Sequence, residues 1–340
     1  MLLNAASLRL KRQCGQPGGD QGAHLISLST FCSFGAHRKV RIGSFYFRVV
    51  RNDYKLLKFN DYISLFKRPS ANRGEFIPMK RKRVNLSITD GIAMVLLDRP
   101  EVLNALDQQM WEELVNVFRS ATNDPKVRVV IISGIGRGFC VGADLKEVAW
   151  RGESQIQSRR RIEANNQQLA REMIGAPMPI IAAINGYALG GGVEIALAAD
   201  LRIASAEARL GFPETTIGRF ISGGASLMLP RAVGIAWAKR LVYTGEHIDA
   251  AKALTIGLVE EVTAPETLTE RAVELAKTIA NNAPVSIALA KKVLNRVSVG
   301  DLETALAFET EALLATYSTD DNEQGVAAFA RGEKPKFSGK

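Results

Sequence analysis

Two glutamates stand where a carboxylate is costly. Glu194 lies in "NGYALGGGVEIALAAD", one residue beyond a glycine triplet, and Glu214 follows twenty residues later in "LGFPETTIG". Both are flanked by apolar and small residues that read as protein interior, where an unpaired charge is expensive. Two carboxylates in such surroundings can have their pKa values pushed apart, so that one acts as base while the other acts as acid. A pair holding one water between them could add it across a double bond. Either glutamate alone also has a structural reading, Glu194 as the charge partner of a helix N-terminus and Glu214 as a capping loop residue.

The glycines bear on the same chemistry. In "INGYALGGGVEIALA" a buried strand ends and a helix starts at Gly190, Gly191 and Gly192. The first N–H groups of a helix have no intrahelical acceptor and carry the positive end of the helix dipole. Glycine lets that backbone approach a ligand with no Cβ in the way. The earlier "GFCVGADLKE" follows the same logic of strand, glycine-rich turn and helix-competent segment. Two such turns can aim two N–H groups at one carbonyl oxygen, an oxyanion hole built from backbone. A thioester carbonyl would respond strongly, because polarising it develops enolate character at the α carbon.

Composition removes competing chemistries. Only His247 lies beyond residue 83, so Ser-His or Cys-His machinery and multi-His metal sites have almost nothing to draw on. Cys14, Cys32 and Cys140 have no CxxC spacing and suggest neither a disulfide framework nor a zinc site. The net charge of +9 is concentrated in residues 1–83, which hold 17 Lys/Arg and 4 Asp/Glu; 27 basic and 31 acidic residues remain for the main body. That body offers no electrostatic footprint for nucleic acid. The charge-poor run Ala176–Ala199 contains Asn185, the glycine triplet and Glu194, so a membrane span is not expected. A dinucleotide fingerprint fails because the third position after Gly190-x-Gly192 is Ile195. With 7% aromatic residues and no Trp near either glutamate, a carboxylate glycosidase is not favoured.

The elements that must position these residues are legible from Val84 onward. "VNLSI" and "IAMVLLD" flank Asp90-Gly91, a hairpin signal. "ALDQQMWEELVNVFRSATND" places Met110, Leu114, Val117 and Phe118 on one helical face. "VRVVIISG" and "MPIIAAING" read as buried strands, with a polar helical stretch over about Ser154 to Ile174 between them, and "DLRIAS" and "ARLGF" as short strands. Successive helices follow from Ala232. Strands with intervening helices and a helical tail predict an α/β layer fold with a helical C-terminal part, in one domain of ~260 residues. Residues 1–78 show no sustained periodicity and are expected to be a disordered extension or absent from the mature protein. The acid-free first nineteen residues resemble a mitochondrial presequence, and translation starting at Met79 is the rival explanation. The expected location is cytoplasmic, or the mitochondrial matrix if the leader is real.

From about Val84 to Lys340 the combination of "LDRPEVLNALD", "GRGFCVGADLKE", "PIIAAINGYALGGGVEIALAADLRIAS", "LGFPETTIG", "LPRAVG" and "TGEHIDAAKALTIGLVEEV" resembles the crotonase, or enoyl-CoA hydratase/isomerase, superfamily. The resemblance implies a crotonase-like fold of repeated ββα units over 84–275 and a helical trimerisation region over 276–340. It implies hydration of a trans-2-enoyl-CoA thioester, with Ala143 and Gly191 as the oxyanion-hole donors. Glu194 would activate the water and Glu214 exchange the proton at the α carbon. Coenzyme A, part of the substrate rather than a resident cofactor, would lie along Val102, Leu103 and Ala105 and along Ala143, Asp144, Leu145 and Lys146. A homotrimer or dimer of trimers is implied, with no metal, nucleic acid or membrane partner. Two features depart from the pattern: Glu101, where similar hydratases can carry a lysine, and "GRFISGGASLML" after Glu214. The loop near Arg151 to Arg161 also looks a few residues longer. Isomerase, acyl-CoA hydrolase or decarboxylase chemistry, or a silent scaffold, are the alternatives.

Overall fold

The structure is a computed structural model that describes residues 82–146, 152–297 and 301–340 in full, together with three strands of the N-terminal segment. Those strands, β1 (Ser7–Arg12), β2 (Ala23–Ser33) and β3 (Lys39–Val50), pair antiparallel in the order β1-β2-β3 within a unit spanning Met1–Pro78. The irregular alternation there predicts no element. In β2 and β3, local enrichment in Val, Ile, Phe, Tyr and Thr favours extended backbone. Met79 and most of the leader-like residues lie outside the described residues.

The second unit, Met79–Lys340, is built on a six-stranded sheet in the order β13-β10-β8-β6-β5-β4. It opens with the expected hairpin: β4 (Val84–Thr89) and β5 (Ile92–Leu97) pair antiparallel through Asp90 and Gly91, both at positive φ as a two-residue type I′ turn requires. β6 (Val129–Gly134), β8 (Ile180–Ile184), β10 (Leu201–Ser205) and β13 (Glu261–Thr263) continue the sheet in parallel. A second sheet, ordered β12-β11-β9-β7, holds β7 (Gly138–Cys140), β9 (Tyr187–Leu189), β11 (Arg209–Gly211) and β12 (His247–Asp249). Three times the chain lays one strand in the large sheet and the next in the small one: β6 then β7, β8 then β9, β10 then β11. This is the predicted ββα repeat.

Period-two alternation explains why the buried strands are apolar on both faces. In β6, Val130 and Ile132 enter the main core with Leu114 and Phe118 of helix α1 (Gln108–Asn123). Val129 and Ile131 point the other way and pack with Ile181, Ile203 and Leu268, Ala272 and Ala276 of a later helix. Each such side chain contributes on the order of 1.5–3 kcal/mol by burial. α1 starts where Asp107 caps it by accepting from Met110 N at 2.9 Å. The expected polar helix appears as α2 (Gln155–Ile162), opened by a Ser154/Gln157 capping box, and α3 (Gln168–Gly175). A π-helical turn, Glu163–Gln167, joins them.

α4 (Gly191–Ala198), α5 (Ala225–Thr244) and α6 (Ala250–Thr255) alternate with the later strands. They are followed by α7 (Leu268–Ala280), α8 (Pro284–Val297), α9 (Leu302–Tyr317) and α10 (Asp320–Arg331). The expected boundary after residue 275 falls inside α7, whose Leu268, Ala272 and Ala276 are buried against the large sheet. α7 therefore belongs to the α/β core, and the helical tail starts at α8.

α8 is fastened by a buried cation. Lys291 Nζ donates to Met173 O and Met178 O, both at 3.1 Å, and to Asp200 Oδ2 at 2.8 Å, and the same Oδ2 accepts from Ile180 N at 2.8 Å. These bonds tie α8 to the end of α3, the start of β8 and the end of α4. Removing one partner of a buried pair leaves the other uncompensated. Lys291→Met is expected to destabilise the fold by about 3 kcal/mol, read as a lower urea midpoint. An unchanged midpoint would mean that apolar packing alone holds α8.

Candidate active site

The small sheet gathers the site. β7, β9 and β11 run parallel, so their carboxyl ends share one edge, the edge at which parallel sheets present ligand-binding loops. Beyond β7 comes Ala143, beyond β9 come Gly190, Gly191 and Glu194, and beyond β11 comes Glu214 on a 3-10 turn, Pro213–Ile217. Residues far apart in sequence thus meet because their strands are neighbours.

Ala143 is exposed and held by a parallel bridge to Leu106: Leu106 N donates to Gly142 O at 2.8 Å and Asp144 N to Leu106 O at 2.9 Å. In a parallel bridge the residue flanked by those two bonds directs its own N–H away from the partner. Gly191, the first residue of α4, has an N–H with no acceptor in its helix. The two turns touch: a Cβ built on Gly142 would sit 2.9 Å from Gly191 N, and one built on Gly191 would sit 3.9 Å from Ala143 N. The two expected oxyanion donors are therefore neighbours at the sheet edge. Gly190 needs to be glycine twice over. Its φ is +52°, and a Cβ there would come 2.6 Å from Glu214 Oε1.

Glu194 is 4% exposed, on the first turn of α4. Its Oε1 accepts from Ser222 N and its Oε2 from Ser222 Oγ at 2.8 Å. Burial pushes its pKa up, and the donors from Ser222 and Asn166 oppose that rise. Glu214 is half-buried, and burial first and the charge of Glu194 second push its pKa up to about 7. Its Oε2 is buried with no protein partner among the described residues. Cys140, wholly buried at the end of β7, is pushed up to about 12, chiefly by burial, with the charge of Glu194 adding to the rise, and is inert as a nucleophile. Beside Glu194 lies a cavity of ≈ 10 Å³, about the size of one water, with Trp111, Asn166, Met173, Gly191, Ile195 and Gly223 among its walls.

The residues expected along coenzyme A fall on two adjacent strips. Val102 closes a short 3-10 turn, Pro100–Val102, Leu103 and Ala105 follow it, and Val141 N donates to Leu103 O at 3.2 Å, so this strip lies against the one holding Ala143, Leu145 and Lys146. Leu145 and Lys146 are exposed. Asp144 pairs through its carboxylate with Arg99 at 3.0 Å and accepts from Lys146 N at 3.0 Å, bracing the turn that holds Ala143. Glu101 is exposed at the head of the first strip.

Four supporting residues are not singled out by the sequence. Arg99 links the two strips through Asp144 and Asp107. Asn104, fully buried at φ +57°, accepts from Arg99 N and donates to Ile135 O and Gly138 O. Asn166 and Ser222 meet only in the fold, where Asn166 Nδ2 donates to Ser222 Oγ at 2.8 Å. The one signal in the sequence is that Ser222 lies in the unusual "GRFISGGASLML" segment. Of the loop expected to be longer, near Arg151 to Arg161, Arg151 lies outside the described residues and the rest leads into α2.

Among the described residues no helix is long and apolar enough to cross a membrane. The family model for enoyl-CoA hydratase/isomerase matches residues 87–340. A short-chain-enoyl-CoA hydratase of Clostridium acetobutylicum is 39% identical over 262 residues, covering 77% of this chain and 98% of that protein. A probable mitochondrial enoyl-CoA hydratase 2 of Arabidopsis thaliana is 37% identical over 268 residues, covering 78% and 86%. The crystal structure of an enoyl-CoA hydratase from Bacillus anthracis superposes with a TM-score of 0.73 at 37% identity, covering 76% of this chain and all of that one. Motifs, fold and site geometry converge with these likenesses: the chain belongs to the enoyl-CoA hydratase/isomerase family and is an enzyme of that family.

Proposed function

We propose that the enzyme adds water across the 2,3 double bond of a short trans-2-enoyl-CoA thioester to give the 3-hydroxyacyl-CoA. The observation that carries this reading is the meeting of two raised carboxylates and two backbone donors at one sheet edge. The N–H groups of Ala143 and Gly191 would hold the thioester oxygen as it gains enolate charge. Glu194 takes a proton from water as the water oxygen bonds to C3, and Glu214 gives a proton to C2. Proton return from Glu194 to Glu214, directly or through solvent, resets the pair.

The roles follow from hydrogen bonding. The two glutamates titrate as a pair. Only Glu194 has side-chain and backbone donors from other residues favouring its charged form. Those donors support Glu194 as the base and Glu214 as the group that gives its proton to C2. The short-chain name of the Clostridium relative supports a short acyl group. Every step uses side chains or backbone of this chain and calls on no resident metal or redox group; coenzyme A arrives with the substrate along the two strips. A homotrimer or dimer of trimers is supported by α9, none of whose residues is buried, with Leu302, Leu306, Leu313, Leu314 and Tyr317 exposed. The mitochondrial name of the Arabidopsis relative supports a matrix location beside the cytoplasmic one.

Loss of the conjugated enoyl absorbance of crotonyl-CoA is the direct assay. Glu194→Gln and Glu214→Gln should each lower turnover at least ~10²-fold; wild-type turnover in both would sink the mechanism. A chain that is inert on crotonyl-CoA but turns over a Δ3-enoyl or malonyl thioester would belong to another reaction of the family.

A stability prediction follows from Glu214. Below about 4.5 it is protonated in both folded and unfolded chains; between there and about 7 only the folded chain holds the proton, so its contribution is lost as pH rises through that window. Glu214→Gln cannot ionise. Its Tm relative to wild type should therefore rise between about pH 5 and about pH 8, and a pH-independent difference would mean that burial does not raise this group.

A further inference from the structure

We propose that Ser222 is a positioning residue for Glu194, gripping both carboxylate oxygens and anchored in turn by Asn166. The inference rests on the reading of Glu194 as the group that activates water. Ser222 N donates to Oε1, Ser222 Oγ donates to Oε2 at 2.8 Å, and Asn166 Nδ2 donates to Ser222 Oγ at 2.8 Å. A carboxylate offers about four acceptor sites on two oxygens. Two donors from one residue fix its plane and rotation.

The hydroxyl is not committed to local structure. Ser222 stands just before α5, whose N-cap is Gly224 with no side-chain cap. Its contribution to that turn is its carbonyl, which accepts from Ala225 N at 2.8 Å. Gly223 follows at φ +55°, and a Cβ there would lie 3.2 Å from Glu194 Oε2, so the chain turns tightly around the carboxylate. Asn166 is delivered by the π-helical turn between α2 and α3, a backbone irregularity that recurs at functional sites. Because Ser222 Oγ accepts from Asn166 while donating to Glu194, each bond polarises the next.

The segment "GRFISGGASLML" thereby acquires a purpose. A glycine at position 222 could supply the N–H but not the hydroxyl, and the carboxylate would be held at one oxygen. The other titratable groups facing Glu194 are Glu214, beyond β11, and Cys140, at the end of β7, both coupled to its charge. Neither donates to it in the ionised state. Ser222 and Asn166 are the groups that oppose burial in favour of the carboxylate.

Two readouts on the full chain test this. Carboxyl infrared titration of ¹³C-glutamate-labelled protein, with the Glu194 band assigned by its loss in Glu194→Gln, reads the group without any turnover. In Ser222→Ala the Glu194 midpoint should move up by about one pH unit. On crotonyl-CoA, kcat should fall about tenfold at neutral pH with KM about unchanged, and the acid limb of the profile should move up with the midpoint. Ser222→Thr should restore most of both, and Asn166→Ala should shift both in the same direction by less. A wild-type Glu194 midpoint in folded Ser222→Ala overturns the proposal. Full activity in Glu194→Gln would instead defeat the hydratase reading and leave the titration to decide whether Ser222 holds Glu194.

Discussion

The site depends on how closely two backbone turns approach one another. Gly142 and Gly191 lie so near that a Cβ on the first would meet the N–H of the second at 2.9 Å, and a Cβ on Gly192 would lie 1.9 Å from Cys140 O. No side chain larger than hydrogen fits between them. That contact sets Ala143 N and Gly191 N close together, and it requires β7 and β9 to be parallel neighbours, which they are despite a register shift between Gly138 and Cys140. β11, paired on the other flank of β9, then has a single place to put Glu214. The six-stranded sheet and its two cores serve as the platform that keeps those three strands aligned.

The same closeness explains the electrostatics. Packing α4 directly behind the glycine turn buries Glu194, and the fold meets the cost by aiming donors at it instead of pairing it with a cation. A lysine or arginine there would hold the carboxylate firmly ionised and depress its basicity. Neutral donors from Ser222 and Asn166 favour the charged form while burial keeps it basic. Glu214, with one buried oxygen lacking a protein partner among the described residues, has its pKa pushed up to about 7. On the proposed mechanism, two identical side chains are thus driven toward opposite roles by what surrounds them.

Much of this was legible from local pattern. A carboxylate in a small-residue run, glycines where a strand becomes a helix, and Asp90-Gly91 between alternating segments each point to their structures without tertiary knowledge. The family motifs singled out Ala143 and Gly191, which residue types alone could not distinguish from their neighbours. What stayed hidden depends on contacts between distant segments. Ser222 reaches Glu194 across 28 residues and Asn166 reaches Ser222 across 56. Asp144 looks available in sequence because its partner, Arg99, lies 45 residues earlier. The π-helical turn leaves no mark in a 3.6-residue period, and the expected boundary after residue 275 missed that α7 closes the second core.

A crystal structure with an unreactive acyl-CoA bound would test the central claim most directly. The account predicts the thioester oxygen within about 3 Å of both Ala143 N and Gly191 N, with C2 and C3 of the acyl group between Glu214 and Glu194. A thioester oxygen that meets only one of those amides, or an acyl group lying away from both glutamates, would contradict it.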